Sequence, residues 1–376
     1  MQQKYYSIKE IWKSGASYLL LNGERSNGKS YAAKEAALKM AWTEKDPFSK
    51  KKVSRYMFGY IRRRDKEATG SNAVSWLDDC VESSNGRRLI AEITDGECDH
   101  ISYYQKSLYF SRHDDEGKVV RVKECGKVFS VALEGQYKSL AFPKIGVLIF
   151  EEYITIDGYL PKELFHLQNL VSTILRRDEG RVILIGNTMN RACPYFTEWQ
   201  LSNAIHQKPG TIDLYEHATD QIDENGNPVV IRIAVELCEN SGNNSKMFFG
   251  QGAKMITSGE WYSEEQPKLS RPYEEYEHMI DVGFYFRGIG FLGHIIRDPD
   301  DEVFLLYVEE WQPDEFPRDM RILTDVYDLS PIITKNWSKR FRHDAVIASL
   351  IKNNKLAFSS NLTGTEFRQM VREQLL

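Results

Sequence analysis

The chain has 376 residues, too many for one small core, and its 41% hydrophobic and 27% charged residues mark it as globular rather than disordered. A formal net charge of −5 excludes a protein that coats nucleic acid over its whole surface, while leaving room for a local basic groove. No apolar run reaches the roughly 18–20 residues of a membrane span, no signal-peptide core opens the chain, and five cysteines without a CxxC pair predict reduced thiols in a cytoplasm.

The first predicted elements are the most informative. LLLNGERSNGKSYAAKEA, residues 19 to 36, matches the phosphate-loop pattern GxxxxGK[ST], with a buried strand predicted over 17–22, a loop from Gly23 to Ser30 and an Ala-rich helix from Tyr31 to Trp42. Phosphate charge has to be met by backbone N–H groups at a helix N-terminus and by cations, and glycines let the backbone come close. The candidate nucleotide contacts are therefore Gly23, Glu24, Arg25, Ser26, Asn27, Gly28, Lys29, Ser30 and Tyr31. Lys29 is expected to reach the β- and γ-phosphates, and the Ser30 hydroxyl to complete the shell of a Mg²⁺ ion. ATP is favoured over GTP because no NKxD base-reading motif occurs.

A second strand is predicted over 54–61, with Arg62, Arg63 and Arg64 following at the sheet edge, where three cations suit the phosphates of a nucleotide or a polynucleotide. A solvated charge run fits the same residues. Between Cys98 and Gly126 lies a polar, Tyr-rich insertion whose KSLYFSR and KVVRVK alternation predicts a hairpin, before a strand over 128–133. Lys138, in GQYKSLAFP, is a candidate for acting on a neighbouring subunit's site.

KIGVLIFEEYIT then supplies a strand over 146–150 that delivers Glu151 and Glu152 to the C-terminal edge of the sheet, where α/β folds place their ligands. Glu151 is expected to hold Mg²⁺ through water, and Glu152 to orient or deprotonate the attacking water. Arg176 and Arg177, just before the next strand at 182–186, are candidates for an arginine that enters a neighbour's site. That strand ends in Asn187, a candidate sensor of the γ-phosphate. Residues 207–229 and 241–272 carry turn and linker chemistry. In the last hundred residues, EHMIDVGFYFRGIGFLGHII and EVFLLYVEEW read as strands, followed by helix, strand and helix.

The predicted fold is thus α/β, with a loop-type ATPase domain on a mainly parallel sheet at residues 1–206, a linker region at 207–272 and a smaller C-terminal domain at 273–376. In that last domain Lys335, Lys339, Arg340 and Arg342, with Lys352 and Lys355 and interleaved Trp337 and Phe341, form a candidate nucleic-acid surface. Asp281, Glu309 and Asp344 are conceivable members of a nuclease site, but no tight acidic motif links them and cleavage is not expected.

With these parts in order, the chain resembles the DNA packaging ATPases, terminase-like motors of small short-tailed phages that use a packaging RNA. The resemblance rests on GERSNGKSYA, YIRRRDKEA, KSLAFPKIGVLIFEEY, and PYFTEW shortly after GNTMN. It implies a homopentameric ring at the portal vertex of a procapsid in the host cytoplasm, moving double-stranded DNA inward on ATP hydrolysis with a packaging-RNA partner. It also implies a degenerate RNase H-like C-terminal domain, a RecA-like (ASCE) core with Lys29 and Ser30 on phosphate and Mg²⁺, and a catalytic Glu152. Arg176 or Arg177, with Lys138, then completes the neighbour's site. A RecA-like helicase and a nucleotide-gated assembly factor that does no work on DNA are the competing readings.

Overall fold

Six parallel strands carry the larger part of the chain. The computed structural model describes residues 6–23, 27–155, 158–176, 180–186, 193–222, 225–239, 264–286, 289–312, 317, 320–324, 333–335 and 345–375, with backbone only for 333–335 and 373–375. By its contacts the chain divides into two units, Met1–Met189 with Asn203–Gly259, and Asn190–Ser202 with Glu260–Leu376.

In the first unit the strands are β1 (Tyr18–Asn22), β2 (Met57–Arg62), β3 (His100–Tyr104), β4 (Ser107–His113), β5 (Val119–Ser130), β6 (Ile145–Glu151), β7 (Arg181–Gly186), β8 (Thr211–Ile222) and β9 (Pro228–Leu237). Their order in the sheet is β3-β4-β5-β2-β6-β7-β1-β9-β8. Strands β5, β2, β6, β7, β1 and β9 run parallel, and β4 and β8 pair antiparallel at the flanks. Every residue of β1 and β6 is buried, the continuous apolar signature of strands covered on both faces. The helices are α1 (Lys9–Lys13), α2 (Lys29–Thr43), α3 (Gly70–Trp76), α4 (Asp78–Val81), α5 (Leu89–Ile93) and α6 (Glu163–Ile174). Helix α2 is Ala-rich, which favours helix intrinsically and lets Ala32, Ala33, Ala36, Ala37 and Ala41 pack closely in the core.

Two expectations change in this unit. The predicted hairpin is present as β4 and β5, but β5 also runs on into the parallel sheet against β2. The 207–229 segment, expected as linker, forms β8 and the start of β9, and β9 pairs with β1 from Tyr18↔Ile233 to Asn22↔Leu237. The turn residues of QKPGT and DENGNP mark the ends of a hairpin, whose strand IDLYEHATDQI is half-exposed and so looks polar in one dimension. The 241–272 segment lies largely outside the described residues.

The second unit contains α7 (Pro194–Glu198) and a sheet of β10 (Glu277–Phe286), β11 (Ile289–Arg297), β12 (Phe304–Trp311), β13 (Arg321–Thr324), β14 (Ile333–Lys335) and β15 (Leu356–Phe358). Its order is β14-β13-β10-β11-β12-β15. The long apolar run after Glu277 is a hairpin, β10 against β11, rather than one strand. Helices α8 (Ala345–Lys352) and α9 (Asn361–Leu375) flank β15. Ile347, Leu350, Phe367 and Met370 share a core with Val282, Phe284, Phe291 and Val308 of one sheet face.

Candidate active site

The site grows from the C-terminal ends of β1, β7, β6 and β2. Strand β7 lies between β1 and β6, so Asn22 and Glu151 end strands that are one strand apart. Chain and helix meet at Gly28, which caps α2 with φ 94°, a left-handed conformation that glycine adopts without the steric cost of a Cβ. A Cβ on Gly23 (φ +138°) would stand 3.2 Å from the Cys238 carbonyl oxygen. Asn27 bridges this turn: its Oδ1 accepts from the Lys29 backbone N–H at 3.2 Å and from Lys29 Nζ at 3.1 Å. Lys29 is 2% exposed. Asn27 Nδ2 is buried with no hydrogen-bond partner among the described residues, a donor left for another group.

Ser30, in the first turn of α2, reaches across to β6, where its Oγ donates to Glu151 Oε2 at 3.3 Å. The other carboxylate oxygen accepts the Trp76 indole N–H at 2.9 Å. Burial raises the Glu151 pKa, opposed by the Trp76 hydrogen bond, the Lys34 charge, the Ser30 hydrogen bond and the Arg62 charge. Trp76 is itself clamped: it stacks on Tyr60 at 4.6 Å, and Lys34 Nζ lies 5.0 Å from its ring centroid. Buried Lys34 pairs with both oxygens of Asp79 at 2.9 Å. Ser30 and Glu151 thus present a hydroxyl and a carboxylate that can hold a hard cation.

Glu152, the next residue, has φ 58°, uncommon for a side chain other than glycine, as β6 ends and the chain turns. Its Oε2 accepts from Arg62 Nη2 at 2.8 Å, and Arg62 also faces Glu67 at 3.6 Å. Arg62 is therefore placed beside the candidate base, at the sheet edge where the candidate nucleotide site lies. Arg63 departs from expectation. It is 6% exposed, and its guanidinium donates to Glu163 Oε2, the Glu152 carbonyl and the Tyr153 carbonyl at 2.8, 2.9 and 2.7 Å. It fastens β2 to the chain beyond β6 and has no open face for phosphate. Arg64 is half-buried in the turn that follows.

Lys138 follows the 3₁₀ segment Val131–Tyr137, exposed and 3.5 Å from Glu134. Arg176 lies at the sheet edge opposite Arg62: its Nη2 donates to the Leu140 carbonyl and its own carbonyl accepts from Arg55, which also bonds the Ile145 carbonyl at the start of β6. Six residue steps of β6 separate that edge from Glu151, about 20 Å at the usual strand rise. Arg176 has no reach to the Ser30 or Glu151 of its own chain. Tyr31 packs under Arg87, whose Nη1 lies 3.5 Å from the Tyr31 hydroxyl. Glu24, Arg25, Ser26, Arg177, Asn187, Lys339, Arg340, Arg342 and Asp344 lie outside the described residues, as does the side chain of Lys335 on β14.

Trp76, Lys34 and Asp79 carry no motif, and sequence reasoning missed them. Trp76 is 75 positions from Glu151, and no local pattern links the two. Tyr153, whose hydroxyl donates to buried Asn22 Oδ1 at 2.6 Å, was missed for the same reason.

Three comparisons bear on this arrangement. A family model described as Podovirus DNA encapsidation protein (Gp16) matches residues 117–232. A DNA packaging protein of Bacillus phage B103 is 22% identical over 246 residues, 63% of this chain and 70% of that protein. Among solved structures, a chain of the bacteriophage Phi-29 viral genome packaging motor assembly aligns at 18% identity with a TM-score of 0.51, over 98% of this chain and 99% of its own. A chain of the Phi-28 gp11 DNA packaging motor aligns at 14% identity and a TM-score of 0.47, over 100% and 99%.

Proposed function

We propose that this chain, whose sequence and fold are those of the phage DNA packaging motor family, is an ATP hydrolase that drives double-stranded DNA into a procapsid through its portal. One observation carries the reading. Lys29 is buried in the first turn of α2, and Ser30, its neighbour, hydrogen-bonds Glu151 from a strand 121 positions away. Phosphate-loop chemistry needs these three groups together.

The residues fit ATP and Mg²⁺. Buried Asn27 Nδ2 is a donor without a partner among the described residues, and Gly23 and Gly28 keep side chains out of the turn. Lys29 and the first N–H groups of α2 hold phosphate charge, and Ser30 and Glu151 hold Mg²⁺. When bound, ATP supplies the phosphoanhydride whose cleavage releases the energy for movement. Glu152 takes a proton from water at the sheet edge or orients that water, and Arg62 holds the Glu152 carboxylate until then. Asn187 senses the γ-phosphate at the end of β7.

Arg176 or Arg177, with Lys138, serves the site of a neighbouring copy, and the distance of Arg176 from its own Glu151 supports that reading. It implies a ring, by family resemblance a pentamer with a packaging-RNA partner, acting at the procapsid portal in the host cytoplasm. The C-terminal unit reads as a degenerate RNase H-like domain. Its three antiparallel strands β10, β11 and β12, with β13 and then β14 added parallel beside β10, support this, as does the engagement of both Asp281 and Glu309 by His294. Its basic segment, Lys335 to Arg342, is a nucleic-acid surface, and Arg64 of the first unit is a separate candidate contact.

The test is ATP turnover with and without duplex DNA, at low salt and high protein concentration, for wild type, Lys29→Ala, Arg176→Ala, Arg177→Ala and one-to-one mixtures. Activity recovered when the Lys29 variant is mixed with an arginine variant supports a site shared between subunits. Turnover unaffected by Lys29→Ala removes the ATPase reading, and strand separation on forked DNA replaces the packaging reading with a helicase.

A further inference from the structure

On the sheet face of the second unit that does not pack against α8 and α9, four side chains converge. Asp281 of β10 and His294 of β11 are direct cross-strand partners. His278, three positions before Asp281, would project to the other face of a regular strand. The register shifts between His278↔Ile296 and Ile280↔Ile295, so a bulge at Met279 turns His278 onto the face of Asp281. The result is tight: Asp281 Oδ1 lies 2.6 Å from His278 Nε2 and 2.7 Å from His294 Nδ1. One ligand atom from each of the three residues falls within 4.8 Å of the others.

We propose that His278, Asp281 and His294 form a binding site for a single Zn²⁺-class transition-metal ion, with Glu309 orienting His294 from behind. The far nitrogen of His294, Nε2, lies 3.5 Å from Glu309 Oε1 on β12. A carboxylate on that nitrogen holds its proton there and turns Nδ1 toward the metal as a lone-pair donor, the usual support behind a ligating histidine. Two imidazoles and one carboxylate are the donor set of an open zinc site with a position left for water or a substrate oxygen. The same set discriminates against Mg²⁺ and Ca²⁺, which prefer all-oxygen ligands, and lacks the converging carboxylates of a two-metal nuclease. Access is one-sided. The His294 side chain is 12% exposed, with its ring 5.3 Å from that of Tyr273 and stacked 5.9 Å from that of Tyr307, whereas the His278 side chain is 46% exposed. His278 forms the mouth and His294 the floor. One oxygen of Asp281 stands within hydrogen-bond distance of both rings, an arrangement that a cation replaces without moving the strands.

The experiment uses the full chain, stripped with a chelator and free of nucleotide, titrated with Zn²⁺ by calorimetry and with Co²⁺ by visible absorption. Wild type is expected to take up one ion with micromolar affinity or better, to show the d–d bands of nitrogen-ligated Co²⁺, and to gain thermal stability with Zn²⁺ but not with Mg²⁺. His278→Gln and His294→Gln each abolish this uptake, Glu309→Gln weakens it about 10–100-fold, and Ser30→Ala, in the other unit, leaves it intact. His278 is exposed, so its variant is expected to melt like metal-free wild type and decides the question if His294→Gln does not fold. Failure of wild type to bind Zn²⁺, or equal uptake by His278→Gln, overturns the proposal.

Discussion

Arg62 Nη2 and Glu152 Oε2 stand 2.8 Å apart, so the carboxylate proposed to activate water is held by the last residue of a neighbouring strand. The pair restrains Glu152 in the resting chain. Arg62→Gln is expected to raise DNA-independent ATP turnover several-fold and to shrink the stimulation by DNA, as read from steady-state phosphate release. Glu152→Gln should lower turnover about 10²–10⁴-fold while leaving ATP affinity unchanged, and a fall in both rates and affinity would assign Glu152 to binding.

Trp76 is a positioning residue for Glu151. Removing the indole N–H leaves a buried carboxylate oxygen unsatisfied, so Trp76→Phe is expected to cost roughly 1–3 kcal/mol of stability in denaturant melts. Excess Mg²⁺ should rescue turnover in this variant, because the cation takes over the charge that the indole offset. Loss of stability with an unchanged Mg²⁺ requirement would make Trp76 merely structural.

Burial raises the Glu151 pKa, and this sets a pH dependence. Below its unfolded pKa of about 4.3 the carboxyl is protonated in both states and costs nothing. As pH rises from there through the folded pKa, the folded state is progressively penalised, and above that value the penalty is constant. Without Mg²⁺, Glu151→Gln should therefore melt higher than wild type at neutral pH and match it near pH 4. The same variant should lose Mg²⁺-dependent turnover. A melting advantage that persists to pH 4 would locate its cause elsewhere.

Arg63 belongs to the fold. Arg63→Ala leaves Glu163, 3% exposed, without its guanidinium partner, and about 3–5 kcal/mol of stability should be lost. Lysine should not restore it, since one ammonium cannot span the Glu163 carboxylate and two carbonyls. Affinity for duplex DNA per folded molecule should stay at the wild-type level. By contrast, Arg64→Ala should weaken that affinity and flatten its salt dependence by about one counterion.

Local chemistry in the sequence determined the strand, turn and helix from Tyr18 to Thr43, the carboxylates at the end of β6 and the β4–β5 hairpin, because apolar runs, glycine spacing and alternation act between near neighbours. Tertiary structure alone decided the rest. It placed β7 between β1 and β6, drew β9 out of an apparent linker onto β1, buried Arg63 while leaving Arg62 on Glu152, and seated Trp76 on Glu151. The reason is physical. Which strand pairs with which, and which charge is surrounded by acceptors, depends on contacts between residues 75 to 215 positions apart, and neither the three consecutive arginines nor the polar strand β8 carries a local sign of its partner.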